Sequence, residues 1–289
     1  MKSIITRGDC IDVLNGMEAE SVDVVFADPP FNLNKKYSSY KDKIGNEEYL
    51  RWTDERIKGC IRVLKPNGSI FIYNIPKLLI PTANILGRYA SFRHWIAWDS
   101  PGRPLGRTLQ PSHYGILYYV KNASDYKYND VRAPHKTCRK CKAYLKDYGG
   151  KEYLRHSFGP LIGDVWDDIH KLRHRKRRID THPCQLPVHL VERILLISTE
   201  PGDVVLDPFL GAGTTAIAAK RLGRRWMGIE IDSEYVGVAG DRVKEEEETK
   251  KGNVFFSSFL KRVLSIRDKD INEYESTPVN RKPRSEVLV

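Results

Sequence analysis

The 289-residue sequence predicts an α/β protein built on a doubly wound, mostly parallel sheet. Three observations carry that prediction. The first 120 residues alternate short apolar runs with helically spaced segments, as strands and crossover helices do. Near the C-terminal end, the apolar run Val204–Leu206 stops at Asp207 and enters the turn Gly211-x-Gly213-x-x-Ala216, followed by a stretch of strong helix formers, Thr214 to Arg221. A second apolar run, Asp23 to Ala27, runs into Asp28-Pro29-Pro30-Phe31, and two prolines cannot continue a ladder. Both loops therefore sit at the carboxyl ends of strands, the rim where open α/β sheets bind ligands.

Taken in order, Ser3 to Thr6 reads as a short strand, and Gly8-Asp9-Cys10 turns into a helix carrying Ile11 and Leu14. After Phe31, Asn32 to Asn46 is polar and reads as a loop. Leu50, Ile57, Ile61 and Leu64 share one face of a helix over 47–64. Lys65-Pro66-Asn67-Gly68 reads as a turn before a strand over 69–73, and Pro76 to Tyr89 as a helix despite Pro81. Ser91 to Trp98 and His113 to Val120 read as strands. From Lys121 to Asp180 the periodicity fades, which suggests an insertion outside the central sheet. An amphipathic helix over 188–199 precedes the glycine loop. A strand over 225–231 ends near Glu230, 23 positions after Asp207, about where a βαβ unit places a carboxylate for a ribose hydroxyl. Ser233 to Lys244 reads as a helix running into the acidic stretch Glu245–Glu248. Phe255 to Ile266 is a candidate amphipathic helix, and the last residues, with Pro278 and Pro283, read as a disordered tail.

Hydrophobic residues make up 40% and charged residues 29%, the balance of a globular protein. No apolar run approaches the roughly 18–20 residues of a membrane span, and no secretory signal is visible. Five cysteines without such a signal point to a reducing, cytoplasmic setting. The net charge of +11 is concentrated: Lys121 to Cys184 holds 16 Lys/Arg against 8 Asp/Glu. That excess suggests a polyanionic partner, with a plain basic surface as the alternative.

The glycine loop alone says only that a nucleotide-like group binds, and a nicotinamide or flavin enzyme would fit it. The Asp28 tetrapeptide is more specific. Its carboxylate and the Pro29 carbonyl can both accept hydrogen bonds from one –NH2 group, and Phe31 can stack on a planar ring. In these residues the chain resembles the DNA amino-methyltransferases. Those S-adenosylmethionine-dependent enzymes carry an Asp/Asn/Ser-Pro-Pro-aromatic tetrapeptide and a cofactor loop of the form seen here from Asp207 to Thr214. The order, with the tetrapeptide first, then a variable basic segment, then the cofactor loop, resembles the beta group, a circular permutation of the commoner arrangement. Thr181-His182-Pro183-Cys184-Gln185-Leu186-Pro187 and Gly8-Asp9-Cys10 extend the likeness.

The resemblance implies a Rossmann-like methyltransferase sheet with permuted motif order and a basic target-recognition insertion. It divides the chain into a catalytic half (1–120), a target-recognition region (121–180), a donor-binding half of the same domain (181–245) and a C-terminal helix and tail (246–289). It implies methyl transfer to N6 of a flipped-out adenine, with N4 of cytosine as the near alternative and RNA or a protein glutamine as more distant ones. Asp28, Pro29, Pro30 and Phe31 are the implied catalytic residues. Asp9, Cys10, Asp28, His182, Gln185, Asp207, Phe209, Gly211, Gly213, Thr214, Thr215 and Glu230 are the implied donor contacts. For Asp232, capping of the following helix competes with such a role. Lys171, Arg173, Arg175, Lys176, Arg177 and Arg178 are dense enough for phosphate contacts on double-stranded DNA, and Arg103, Arg107 and His113 are further candidates. A cognate restriction endonuclease and a homodimer are family-type partners. No cysteine is needed as nucleophile. Cys138-x-x-Cys141 is half of a zinc ligand set, but without a second such pair no metal is assigned, and two free thiols are the simpler reading.

Overall fold

The computed structural model describes residues 3–33, 44–102, 107, 109–133, 135–136, 140–141, 143–144, 149–151, 159–171 and 185–249. His182, Arg103, Arg173, Arg175, Lys176, Arg177, Arg178, Cys138 and the segment after Thr249 lie outside them. The described residues up to Asp130 and from Gly163 onward form one compact unit; those from Val131 to Ile162 belong to a second. In the second, an antiparallel bridge joins Arg132 and Leu161, and the Arg132 guanidinium donates to the Gly159 carbonyl at 2.9 Å.

The larger unit is an eight-stranded sheet with helices on both faces. In chain order its elements are β1 (Ile4–Arg7), α1 (Cys10–Gly16), β2 (Val22–Ala27), α2 (Asn46–Val63), β3 (Leu64–Asn74), α3 (Pro76–Leu86), β4 (Ser91–Asp99), β5 (His113–Val120), β6 (Val165–Trp166), α4 (Val188–Ser198), β7 (Val204–Asp207), α5 (Thr214–Arg221), β8 (Arg225–Glu230) and α6 (Ser233–Thr249). The strand order is β1-β8-β7-β2-β3-β5-β4-β6. Only the two ladders of β5, with β3 and with β4, are antiparallel.

The sheet is buried where the sequence is continuously apolar. Every residue of β2 and of β7 is buried, as expected of strands covered on both faces. Asp23 is the polar exception in β2. Its carboxylate accepts from Lys65 at 2.8 Å, Lys127 at 2.9 Å and the Val204 amide at 2.9 Å, which ties the starts of β2 and β7 together.

β2 and β7 lie side by side, Val24 facing Val205 and Val25 facing Leu206. From β2 the chain crosses by α2 to β3 on one side; from β7 it crosses by α5 to β8 on the other. Right-handed crossovers leading in opposite directions cover opposite faces. Accordingly α1 packs on α2 and α2 on α3, while α4 packs on α5 and α5 on α6. The β2/β7 boundary is thus the switch point of the sheet, and a crevice opens at its carboxyl end.

Two expectations need correcting. Lys65–Gly68 is not a turn ahead of the strand, because β3 begins at Leu64. Val22 faces Leu64 and Val24 faces Ser69, so these four residues bulge out of a continuing ladder. The segment of faded periodicity is not wholly outside the sheet: β6 pairs in parallel with β4, Ala97 facing Val165 and Trp98 facing Trp166. A two-residue strand has no periodicity to read. α6 also runs on through the acidic stretch, where Glu246 receives the Arg221 guanidinium through two bonds of 2.8 Å.

Candidate active site

A cavity of about 340 Å³ fills the crevice at the switch point. Its walls come from the loops after β1, β2, β7 and β8, from one face of α2, and from Gln185 and Leu186 ahead of α4. Asp9, Cys10, Asp28, Pro29, Pro30, Phe31, Gln185, Asp207, Phe209, Gly211, Thr214, Thr215 and Glu230 all line it. Residues about 180 positions apart in the sequence therefore share one chamber.

The electrostatics of the chamber run against those of the chain. Asp9, Asp28, Glu48, Asp207, Glu230 and Asp232 line it, and among the described lining residues there is no Lys, Arg or His. In a protein of net charge +11, an acidic pocket selects a cationic ligand. Arg56 is buried behind the wall, its guanidinium 4.6 Å from the Trp52 ring and 5.6 Å from the Phe209 ring.

The glycine loop is held on three sides. Asp207 accepts from the Phe209 amide at 2.9 Å and the Thr215 hydroxyl at 2.5 Å. Burial, aided by the charge of Glu230, pushes the Asp207 carboxyl up to about 7. Burial also raises the Glu230 carboxyl, which accepts from the Gly211 amide at 2.8 Å and the Asp232 amide at 2.9 Å. Glu230 thus clamps the loop while facing the cavity. From the third side, Arg242 of α6 donates to the Ala212 carbonyl.

Among the described residues implied as donor contacts, Gly213 stands apart, because it is not in the cavity wall. It precedes α5 with φ +80°, and a Cβ there would lie 3.0 Å from the Ala239 Cβ and 3.2 Å from its Cα. Glycine is required for backbone conformation and for the close approach of α6. Asp9 caps α1, accepting from the Ile11 amide at 2.8 Å. Asp232 caps α6, accepting from the Glu234 amide at 2.8 Å, and also lines the cavity. Burial pushes the thiols of Cys10 and Cys60 up to about 12, which keeps both protonated at neutral pH.

At the other end of the chamber, the Tyr49 hydroxyl of α2 donates to the Pro30 carbonyl at 2.9 Å and anchors the tetrapeptide. Phe31 is only 7% exposed. Its ring centroid lies 5.8 Å from that of Tyr73 and 6.1 Å from that of Tyr114, and these two stack at 5.2 Å. The Lys171 ammonium sits 4.5 Å from the Tyr114 ring, which brings the start of the basic run to the rim of the chamber. Asn32, at φ +53°, exchanges bonds with Ile44: its amide donates to the Ile44 carbonyl at 3.0 Å and its side-chain oxygen accepts from the Ile44 amide at 2.8 Å. Asn32 therefore holds together the two ends of the loop that follows the tetrapeptide.

With this geometry in place, the comparisons with known proteins are decisive. Residues 22–241 match the N6/N4 family described as DNA methylase. The chain belongs to that family. The chain is 41% identical over 274 residues to the type II methyltransferase M.BamHI of Bacillus amyloliquefaciens, covering 91% of this chain but only 63% of that relative's length. It is 34% identical over 235 residues to the DNA adenine methyltransferase YhdJ of Escherichia coli K12, covering 80% of the chain and 79% of the relative. A Thermus thermophilus protein solved with S-adenosyl-L-methionine shares the fold, with a TM-score of 0.56 at 23% identity over 84% of this chain and 95% of that one.

Several residues of the cavity wall had no signal in the sequence. Glu48, Tyr49 and Trp52 lie one helical turn or less apart, but their use shows only once α2 is docked beside the glycine loop. Arg242 lies one residue beyond the family match and reaches Ala212 only through tertiary packing. Asn32 was legible in principle, as an asparagine after a Pro-Pro turn where a left-handed residue is favoured. Cys141 is an exposed free thiol, and no group of three or more metal-ligating side chains occurs among the described residues.

Proposed function

We propose that this DNA methylase transfers the methyl group of S-adenosylmethionine to N6 of an adenine extruded from duplex DNA. The observation that carries the reading is the shared chamber: the Asp28 tetrapeptide and the glycine loop face one acidic cavity across the switch point of the sheet. Its volume lies in the range of small-molecule sites, and its carboxylates suit a donor that bears a sulfonium and an ammonium. Asp207, Gly211, Thr215 and Glu230 would hold that donor, which supplies an electrophilic methyl group.

The chain's own residues would then act on the acceptor. An aromatic amine is a poor nucleophile because its lone pair is delocalised into the ring. Asp28 and the Pro29 carbonyl accept hydrogen bonds from its two N–H groups and favour a pyramidal nitrogen with a localised lone pair; as the N–CH3 bond forms and the S–CH3 bond breaks, S-adenosylhomocysteine is released and the nitrogen loses one proton, by way of Asp28, to solvent. Tyr49, by fixing the Pro30 carbonyl, keeps that acceptor pair in place. Positioning supplies much of the rate, and no covalent intermediate with the protein is needed. An amine inside a duplex cannot reach the chamber, so the base must be extruded. Lys171 and the Arg173–Arg178 run would neutralise flanking phosphates.

Cytosine N4 presents the same pair of hydrogens, and the family covers both bases. No described helix is long and apolar enough to cross a membrane. A cytoplasmic enzyme, partnered by a cognate restriction endonuclease, fits the type II relatives. The deciding experiment incubates the protein with methyl-labelled donor and duplex DNA and digests the product to nucleosides. Label in N6-methyladenine supports the reading, label in N4-methylcytosine moves the target to cytosine, and label in RNA or glutamine but not in DNA overturns it.

A further inference from the structure

Tyr49, Trp52 and Arg56 fall at i, i+3 and i+7 of α2 and so share one of its faces. That face spans both halves of the chamber. The Tyr49 hydroxyl holds the Pro30 carbonyl of the tetrapeptide at 2.9 Å. The Trp52 ring stands between the halves: its centroid lies 5.6 Å from that of Tyr49 and 5.7 Å from that of Phe209, just ahead of Gly211 in the glycine loop. Trp52 and Phe209 meet at 62°, forming a corner. The Arg56 guanidinium sits against that corner, 4.6 Å from one ring and 5.6 Å from the other.

Arg56 is a costly residue for this place. It is 2% exposed. The Thr53 hydroxyl accepts from its Nη2 at 3.2 Å, but its Nε is buried without a hydrogen-bond partner. Burial pushes its pKa down, and the groups that oppose this are Tyr49, Cys10 and Cys60, none of them a carboxylate. For packing alone, an apolar side chain of similar volume would serve better than a buried charge without a counterion. What the guanidinium gains here is two aromatic faces, one from each side of the boundary between α2 and the glycine loop.

We propose that Arg56 is a positioning residue that locks Trp52 to Phe209, so that the glycine loop and the tetrapeptide shift as one and the donor and the target DNA bind with positive coupling. The inference rests on the DNA-methylase reading above. Docking of the donor acts on Phe209, which lines the chamber. In a close-packed interior a shift of that ring must be taken up by its neighbours. Without the cation, Trp52 and Phe209 slide past each other and the shift ends there. With it, the shift passes through Trp52 and Tyr49 to Pro30, next to the acceptor pair of Asp28 and the Pro29 carbonyl. By linkage, bound DNA then tightens the donor by the same factor.

The test measures Kd for a duplex carrying the site that labelling identifies, with and without saturating S-adenosylhomocysteine. It compares the full-length protein with Arg56→Met and Arg56→Lys. In the unaltered protein the donor product should tighten DNA binding about tenfold, a usual size for such coupling. In Arg56→Met that ratio should fall to about one, while Tm stays equal or rises because an unpaired buried charge has gone. Arg56→Lys keeps the charge but not the flat guanidinium face, and its ratio should lie in between. A purely structural arginine would show the reverse: a lower Tm and an unchanged ratio. A ratio near one in the unaltered protein, the same ratio in Arg56→Met, or an Arg56→Met protein that loses Tm or fails to fold, overturns the proposal. If the unaltered protein neither binds nor methylates the duplex, the DNA-methylase reading itself fails, and the inference with it.

Discussion

The burial of Asp207 sets up a substitution with opposite effects on stability and on binding. Asp207 ends β7, is 3% exposed, and has its carboxyl pushed from 3.8 up to about 7 by burial and by the charge of Glu230. A folded-state value above the unfolded one means that the native protein holds a proton which the unfolded chain releases. Stability from this group is therefore fully present below pH 4 and is lost as pH rises through 7. A shift of about 3 units corresponds to an upper bound of about 4 kcal/mol at 1.36 kcal/mol per unit. Asp207→Asn keeps the shape. Its oxygen can still accept from the Phe209 amide, and the Thr215 hydroxyl can turn to accept from the new amide. Chemical unfolding of both proteins from pH 4 to 8 should show near-equal stability at the acid end. The variant's advantage should open between pH 4 and 7 and level off above. Calorimetric titration with S-adenosylmethionine at pH 8 should show weaker binding by the variant, because the cationic donor loses a facing carboxylate. A stability difference that does not change with pH, or an unaltered protein more stable than the variant at pH 8, would refute the reasoning.

Two other substitutions probe the same loop from behind. Gly213→Ala forces a Cβ into a left-handed residue, at a cost of about 1–2 kcal/mol, and against Ala239; Tm should fall by roughly 2–4 °C per kcal/mol, and donor affinity with it. Arg242→Met removes the bond to the Ala212 carbonyl. KM for the donor should rise while kcat at saturating donor holds, and Arg242→Lys should recover part of the loss; a fall in kcat alone would contradict a positioning role.

Both halves of the chamber were legible because proline and glycine mark where strands stop. Asp28-Pro29-Pro30 cannot lie within a ladder, and Gly211 and Gly213, at φ +50° and +80°, take backbone conformations that few other residues tolerate. The apolar runs of β2 and β7 announced central strands for the same local reason. What was hidden depends on tertiary packing. That no Lys or Arg occurs among the described lining residues cannot be read from a chain of net charge +11, because charge sorting follows topology. Gly213 reads as a ligand contact, and its packing against Ala239 of α6 shows only in the folded chain. Lys171 reads as one cation among many until it is found against Tyr114. β6 is too short for a pattern, and the continuation of α6 depends on Arg221, which sits 25 residues before Glu246.

The central claim is that one chamber joins a donor site to an amine-activating site, and Asp28→Ala separates the two. Transfer of labelled methyl to duplex DNA should fall by about 10²–10⁴-fold, the usual contribution of a positioned proton acceptor, while titration shows donor affinity largely unchanged. A variant that still methylates DNA at the original rate would contradict the role of Asp28. One that loses the donor in step with activity would contradict the division of the chamber into two sites.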